Sequence, residues 1–186
     1  MKNILLFLFI TMPIMVNAQF SLTIDGFVCS EDNSKDYVVF EYENQPKEDL
    51  FINVLKFITS NYKSAKDVIS KVDNEVITIN AFQPKQIYAK SLKYDIKYTL
   101  VISFKDNKIK IDRPSFECST YAFDKPYRLT MSGSNAGLGS EVTVGLFKKD
   151  GKPNQERAIV DIETFINGLC NRINSASLSN NTKDNW

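Results

Sequence analysis

Apolar and polar residues alternate along the middle of the chain with the period of a β-strand. Between residues 93 and 105 the apolar phase contains Tyr94, Ile96, Tyr98, Leu100, Ile102 and Phe104. The opposite phase is polar apart from Val101. This alternation is typical of an antiparallel sheet with one buried face and one solvated face. Asp106-Asn107 is a two-residue turn, which predicts a partner strand over Lys108–Asp112.

Weaker alternation predicts further strands on either side of this pair. They are Ser21–Ile24, Tyr37–Glu43, Asp67–Val72, Val76–Phe82, Tyr127–Met131 and Val142–Lys148. The last two are expected to form a hairpin around a glycine- and serine-rich loop, residues 132–140. The aromatic stretch Phe116–Phe123 is interpreted as a connection between strands.

Two segments have the spacing of amphipathic helices. The first starts at Asn44-Gln45-Pro46, and its apolar stripe contains Leu50, Phe51, Val54, Leu55, Ile58 and Tyr62. The second has Asn154 as its expected cap, and its stripe contains Ala158, Ile159, Ile162, Phe165, Ile166, Leu169 and Ile173. Helices on one face of an antiparallel sheet define an α+β fold.

The N-terminus has the features of a secretory signal. Lys2 precedes the apolar run Ile4–Ile10, and Val16-Asn17-Ala18 ends in the small residue that a signal peptidase requires. We expect cleavage after residue 18 and export to the periplasm or the cell exterior, without stable membrane insertion of the mature chain. Residues 19–35 are interpreted as a loose lead-in, residues 36–175 as one α+β domain, and residues 176–186 as a flexible tail.

Composition narrows the chemistry that this chain can perform alone. The 23 basic and 22 acidic residues nearly balance, so no global charge favours nucleic acid. Histidine is absent from the sequence, which excludes Ser-His-Asp and Cys-His catalysis. No cofactor or metal motif is present. The three cysteines allow one disulfide at most, and we expect any bridge to join Cys29 and Cys118, with Cys170 buried in the last helix.

Several segments resemble a known family. They are Lys35–Tyr42 leading into Glu48–Phe51, then Tyr62–Ile69 and Asn74–Ile79. Together they resemble exported bacterial proteins classed as a domain of unknown function with a TBP-like fold, over about residues 35–118. The resemblance implies a curved antiparallel sheet with helices on its convex face and brings no catalytic motif. The family often has a tyrosine where this sequence has Phe51. Residues 119–175 are then an extension with a hairpin and the C-terminal helix.

The first candidate site is the polar face of the predicted sheet. Its residues are Lys93, Asp95, Lys97, Thr99, Ser103, Lys105, Lys108 and Lys110. The face is either a platform for a polyanion, a glycan or a protein, or simply the solvated side of a half-exposed sheet. The tyrosines alternate to the opposite side, which disfavours stacking on nucleic-acid bases.

Three other features of the sequence are candidate sites. The glycine- and serine-rich loop lacks the Gly-Lys-Ser/Thr signature and precedes a strand, so a hairpin loop is expected rather than a phosphate loop. Glu41 and Glu43 share a strand face, and Glu117 is expected to neighbour them, but surface charge is the simpler interpretation. Core packing is expected for Tyr121, Phe123 and Tyr127, and Trp186 falls in the tail.

These observations favour a non-enzymatic exported binding module with an envelope protein or a glycan as partner. The alternatives are a carboxylate-based glycan hydrolase and a self-associating envelope component. The hydrolase requires a close carboxylate pair in a pocket, and self-association requires an exposed apolar patch or an unpaired strand edge.

Overall fold

The computed structural model describes residues 19–134 and 140–178. The predicted signal, residues 1–18, lies outside these ranges. The strands are β1 Phe20–Thr23, β2 Gly26–Cys29, β3 Tyr37–Glu41, β4 Ile69–Val72, β5 Val76–Ala89, β6 Leu92–Lys105, β7 Lys108–Asp112, β8 Ser115–Ala122, β9 Lys125–Ser132 and β10 Val142–Phe147. The helices are α1 Lys47–Asn61, α2 Ala65–Val68 and α3 Glu156–Ser177. The predicted α+β class is confirmed.

The long strand β6 organises an eight-stranded sheet. One edge of β6 pairs with β5, and its other edge pairs with β8 through residues 95–99 and with β7 through residues 102–105. β3 extends the sheet beyond β7, β4 extends it beyond β5, and β9 and β10 extend it beyond β8. Because β6 has fourteen residues, it is long enough to serve two partners on one side.

Helices α1 and α3 cover one face of this sheet. The ring of Phe51 on α1 meets that of Phe104 edge-on, with centroids 5.3 Å apart. Phe165 on α3 meets Tyr98 in the same way at 5.2 Å. The inward phase of β6 is buried as the alternation predicts. Within the described ranges, no helix has both the length and the apolarity that crossing a bilayer requires.

The predicted loose lead-in is wrong for residues 20–29, which form the antiparallel hairpin β1–β2. Phe27 is fully buried, and its ring lies 5.8 Å from that of Phe20 and 5.6 Å from that of Phe116. Apolar residues at alternate positions therefore tie this hairpin into the core.

The strand prediction also stopped β5 too early. β5 continues past Pro84 because the register shifts between Gln83 and Ile87, and Lys85 there adopts a positive φ of 57°. A bulge of this kind accommodates proline, which has no N–H for the ladder. β8 was missed, and it replaces the expected connection over residues 116–123.

The strands β9 and β10 pair with each other, but in parallel. The expected hairpin over residues 127–148 is therefore wrong, since a two-stranded hairpin requires antiparallel strands. The loop between these strands lies partly outside the described residues, which omit positions 135–139.

Both ends of α3 differ from the prediction. Gln155, not Asn154, precedes the first helical residue, and the Asn154 amide instead donates to the carbonyl of Gly145 at 2.8 Å. At the other end the helix continues to Ser177, whose carbonyl accepts a 3.2 Å hydrogen bond from Asn53 Nδ2. Residues 176–177 thus belong to the helix and not to a flexible tail, while residues 179–186 lie outside the described ranges.

Candidate functional site

The side of the sheet that faces away from α1 and α3 carries all eight predicted platform residues, and we call it the outer face. Lys93, Asp95, Lys97, Thr99, Ser103 and Lys105 occupy the outward phase of β6. On β7, Lys110 lies across from Ser103, and Lys108 lies across from Lys105. Strand alternation thus brings these residues onto one surface.

The centre of the outer face is uncharged. On β5, Val76, Thr78 and Asn80 lie across from Ser103, Val101 and Thr99 of β6. The Thr99 hydroxyl donates to Asn80 Oδ1 at 2.7 Å. The neighbouring charged residues of β6, Lys97 and Lys105, are eight positions apart, or about 26 Å along an extended strand. Charge therefore lies at the two ends of β6 and along the flanking strand β7, where Lys110 lies across from Ser103.

Two of the five platform lysines form ion pairs with neighbouring carboxylates, and a third lies against an aromatic ring. Lys108 Nζ lies 2.7 Å from the carboxylate of Glu41, and Lys110 Nζ lies 2.7 Å from that of Asp112. The ammonium of Lys93 lies 5.0 Å from the ring centroid of Tyr88. The two ion pairs are exposed and worth little energetically, but they reduce the local positive field that would favour a polyanion.

Phe82 is an exposed large apolar side chain on the charged end of this face, and it is not among the sequence-predicted site residues. Its side chain is 58% exposed, and it lies directly across from Lys97. Lys97 in turn lies across from Glu117 on β8. A shallow depression of about 200 Å³ adjoins this row and is lined by Lys97, Thr99, Ser115 and Glu117 with parts of Tyr98 and Phe116. Phe82 shares the outward phase of Thr78 and Asn80, not the inward phase of Ile77 and Ile79. A phenylalanine on the polar phase of a strand is the sequence signal that could have identified this residue.

The tip of the β8–β9 hairpin carries two more exposed aromatics. Tyr121 is 68% exposed and Phe123 is 80% exposed, so core packing is wrong for both. Phe123 and Asp124 both have positive φ, 48° and 57°. A phenylalanine rarely adopts this conformation, so the turn is backbone-strained. Tyr127 is half-buried, with its ring 6.4 Å from that of Phe123, and Trp186 lies outside the described residues.

The expected neighbours Glu41 and Glu117 lie far apart. Glu41 is linked to Lys105 of β6 through Lys108, whereas Glu117 lies across from Lys97. Their rows are separated by about 26 Å along β6, whereas glycosidase carboxylates lie about 5 to 10 Å apart. The expectation that Glu117 neighbours Glu41 is therefore wrong.

A groove lies between the β5–β6 turn and the start of α3. Its lining residues are Tyr88, Ala89, Lys90, Ser91, Pro153, Asn154, Gln155, Glu156 and Arg157. Glu156 is the one carboxylate among these described residues. The groove therefore offers no acid–base pair from its own lining. Within residues 19–134 and 140–178, no group of three potential metal ligands comes together.

The cysteines are buried free thiols. Cys29, Cys118 and Cys170 are each unpaired, so the expected Cys29–Cys118 bridge is wrong. Burial raises the pKa of both Cys118 and Cys170 to about 12. Since the thiolate is the reactive form, these two residues are suited to packing and not to nucleophilic chemistry.

The glycine- and serine-rich loop is described only at its two ends. Ser134 Oγ accepts a 3.0 Å hydrogen bond from the N–H of Gly145, and Thr130 Oγ1 donates to the carbonyl of Gly133 at 2.9 Å. The strand β10 follows it, as expected from the sequence.

Residues 37–118 match the family model of a domain of unknown function (DUF4468) with a TBP-like fold. This segment is similar to the DUF4468 family. The structure of a TBP-like protein from Parabacteroides distasonis superposes with a TM-score of 0.55 at 18% identity, covering 77% of this chain and 91% of that one. A DUF4468 protein from Bacteroides ovatus gives a TM-score of 0.49 at 14% identity, covering 78% and 86%. No curated protein matches this chain.

The match confirms the predicted family and its TBP-like fold. The DUF4468 segment runs from β3 into β8 and contains the eight platform residues together with Phe82 and Glu117. The outer face is therefore built mainly by the DUF4468 segment. The exposed tip at Phe123, the parallel pair β9–β10 and α3 lie beyond it.

Proposed function

We propose that this protein is an exported, non-enzymatic binding module that holds an envelope protein on its outer face. The proposal rests mainly on one observation, the exposed ring of Phe82 beside the uncharged centre of that face. A ring left 58% exposed adds nothing essential to the core, whereas the same ring is suited to anchoring a partner.

The composition of the outer face supports a protein partner over a polyanion. Protein interfaces are depleted of charge at their centre and polar at their rim. Here Val76, Thr78 and Val101 lie centrally, while the ion pairs of Lys108 and Lys110 lie towards the periphery. Complementary charges at such a rim govern partner choice and association rate more than affinity.

Export follows from the N-terminal pattern. Lys2, the apolar run Ile4–Ile10 and the small residue Ala18 together favour a cleaved signal and a location in the periplasm or outside the cell. Buried cysteines that remain free are compatible with such a location, since oxidation requires access to the sulfur.

A glycan is the second candidate ligand. The depression beside Lys97 offers the hydroxyls of Thr99 and Ser115 and the carboxylate of Glu117, next to the flat ring of Phe82. Such groups bind sugar hydroxyls while a ring contacts the apolar face of a pyranose. A hydrolase is disfavoured because Glu41 and Glu117 are too far apart to act together.

The test compares the purified protein with a Phe82→Ala/Lys97→Glu variant against solubilised envelope proteins and a glycan panel. Retention of a discrete envelope protein by the wild type, and its loss in the variant, supports a protein-binding face. The matched control is Val160→Ala, an equally exposed change on α3, which is expected to bind like the wild type. A glycan-dependent rise in melting temperature that requires Phe82 assigns the face to sugars instead. Equal binding by the wild type and the double variant excludes the outer face.

A further inference from the structure

The outer edge of β3 has backbone groups without partners among the described residues. β3 pairs only with β7, so one of its edges is open. Just past the end of β3, the N–H of Tyr42 donates to the carbonyl of Asn107 at 2.9 Å. This bond continues the β3–β7 ladder, so Tyr42 faces β7. Backbone groups alternate in direction along a strand, so Phe40 and Val38 also face β7. The N–H and C=O groups of Tyr37, Val39 and Glu41 therefore face away from the sheet.

Two other strand edges of the molecule are capped by side chains. Asn167 on α3 binds both backbone groups of Phe20 on β1, at 2.8 and 2.9 Å. Asp161 on the same helix accepts the N–H of Tyr88 on β5 at 2.9 Å. Proteins commonly blunt an edge in such ways, because open edges pair with other chains. Within residues 19–134 and 140–178, no side-chain hydrogen bond caps β3 in this manner.

We propose that β3 pairs antiparallel with β3 of a second copy of this chain, centred on Val39. The sequence Tyr37-Val38-Val39-Phe40-Glu41 is self-complementary in this register. Val39 meets Val39 of the partner copy, and the outward-facing backbone groups form about six hydrogen bonds across the new ladder. The two eight-stranded sheets become one continuous sheet.

The side chains fit the same register on both faces of the sheet. On the helix side, Val38 lies across from Phe40 of the second copy, and both are apolar and buried from that side already. On the outer face, Tyr37 lies across from Glu41, so a phenol meets a carboxylate and not a like charge. Glu41 keeps its ion pair with Lys108. Opposed pairs of these kinds stabilise antiparallel ladders.

Sedimentation velocity and light scattering across a concentration series measure the association directly. The chain is expressed in full in a host that exports it. The wild type is expected to approach twice the monomer mass as concentration rises. Val39→Pro removes an outward N–H and no bond to β7, and it should weaken self-association by about tenfold or more.

A charge-swap pair tests the register and remains informative if the proline variant does not fold. Val39→Lys and Val39→Glu each place like charges in contact at the centre of the ladder, so each alone should be monomeric. Mixed in equal amounts, the two variants should associate again. Val160→Lys is the matched control, because it makes the same valine-to-lysine change at an exposed position on α3, and it should associate like the wild type.

Circular dichroism and thermal unfolding verify that each variant is folded before its mass is interpreted. A wild type that stays monomeric throughout the series overturns the proposal. So does a folded Val39→Pro variant that still dimerises, or a charge-swap mixture that stays monomeric. Because these readouts use the purified chain alone, they are independent of the envelope ligand proposed for the outer face.

Discussion

The Asn167 side chain binds the backbone of Phe20 like a neighbouring strand would. Its Nδ2 donates to the Phe20 carbonyl at 2.9 Å, and its Oδ1 accepts the Phe20 N–H at 2.8 Å. One turn earlier on α3, Glu163 Oε1 accepts the N–H of Leu22 at 2.7 Å. Side chains of α3 thus replace a strand along the edge of β1 and fix the N-terminal hairpin to the body of the protein.

Asn167→Ala is expected to lower the free energy of unfolding by about 1 to 3 kcal/mol, because it leaves two part-buried backbone groups without partners. Urea denaturation measures this loss. Asn33→Ala, at an exposed loop position, is the control and should change stability by less than about 0.5 kcal/mol. Equal stability of the two variants would show that the hairpin does not depend on Asn167.

Two buried tyrosines are expected to respond oppositely to loss of the hydroxyl. The hydroxyl of Tyr94 is buried without a hydrogen-bond partner among the described residues, whereas that of Tyr98 lies 2.7 Å from the hydroxyl of Tyr62. Tyr94→Phe should therefore leave stability unchanged or raise it by up to about 1 kcal/mol, while Tyr98→Phe should lower it by about 0.5 to 1.5 kcal/mol. Paired thermal unfolding curves measure both changes, and a larger loss for Tyr94→Phe would reveal a partner for its hydroxyl.

Stability is expected to fall at alkaline pH because of the buried thiols. The pKa of Cys118 and that of Cys170 rise from 9.0 to about 12 on burial. Between these values the unfolded chain has lost a proton that the folded chain keeps, so unfolding becomes more favourable as pH rises from about 9 to about 12. Below pH 9 both states keep these protons, so the stabilising contribution of the buried neutral thiols is fully present.

Urea titrations at several pH values between 8 and 11 measure this slope. A Cys118→Ala/Cys170→Ala variant supplies the control, because it retains the lysines and tyrosines that also titrate there. The variant should show a shallower decline than the wild type. Parallel declines would mean that the two thiols do not contribute.

The sequence pattern predicts secondary structure most accurately where one face of an element is buried and the other is exposed to solvent. The alternation from Tyr94 to Phe104 predicted β6, its inward phase and the shared face of the platform residues, and all three are confirmed. The stripe beginning at Leu50 predicted α1 in the same way. In these segments local periodicity and tertiary packing agree, so pattern alone is sufficient.

The pattern fails where tertiary contacts decide the structure. The predicted strand ends at Phe82, but a bulge after Gln83 carries β5 past Pro84. β8 was hidden because its inward phase includes the polar Thr120. Nothing local specifies that β9 and β10 run parallel. At the candidate site, the lysines were predictable from alternation, but their ion pairs depend on neighbouring strands that the sequence could not order.

The effect of Phe82→Ala on the free energy of unfolding distinguishes a binding role of this ring from a structural one. Phe82→Ala should change the free energy of unfolding by less than about 0.5 kcal/mol because its ring is largely exposed. Phe51→Ala, at a buried position against Phe104, should cost about 3 to 5 kcal/mol. Chemical denaturation measures both, and a large loss for Phe82→Ala would place that ring in the core.

Site-specific photocrosslinking in the producing cells tests the outer face most directly. A benzophenone amino acid replaces Phe82 in one variant and Val160 in another, since the two are 58% and 56% exposed on opposite sides of the sheet. We predict a discrete crosslinked envelope protein from position 82, weakened by the added change Lys97→Glu, and none from position 160. The same product from both positions, or from position 160 alone, would contradict a binding function of the outer face.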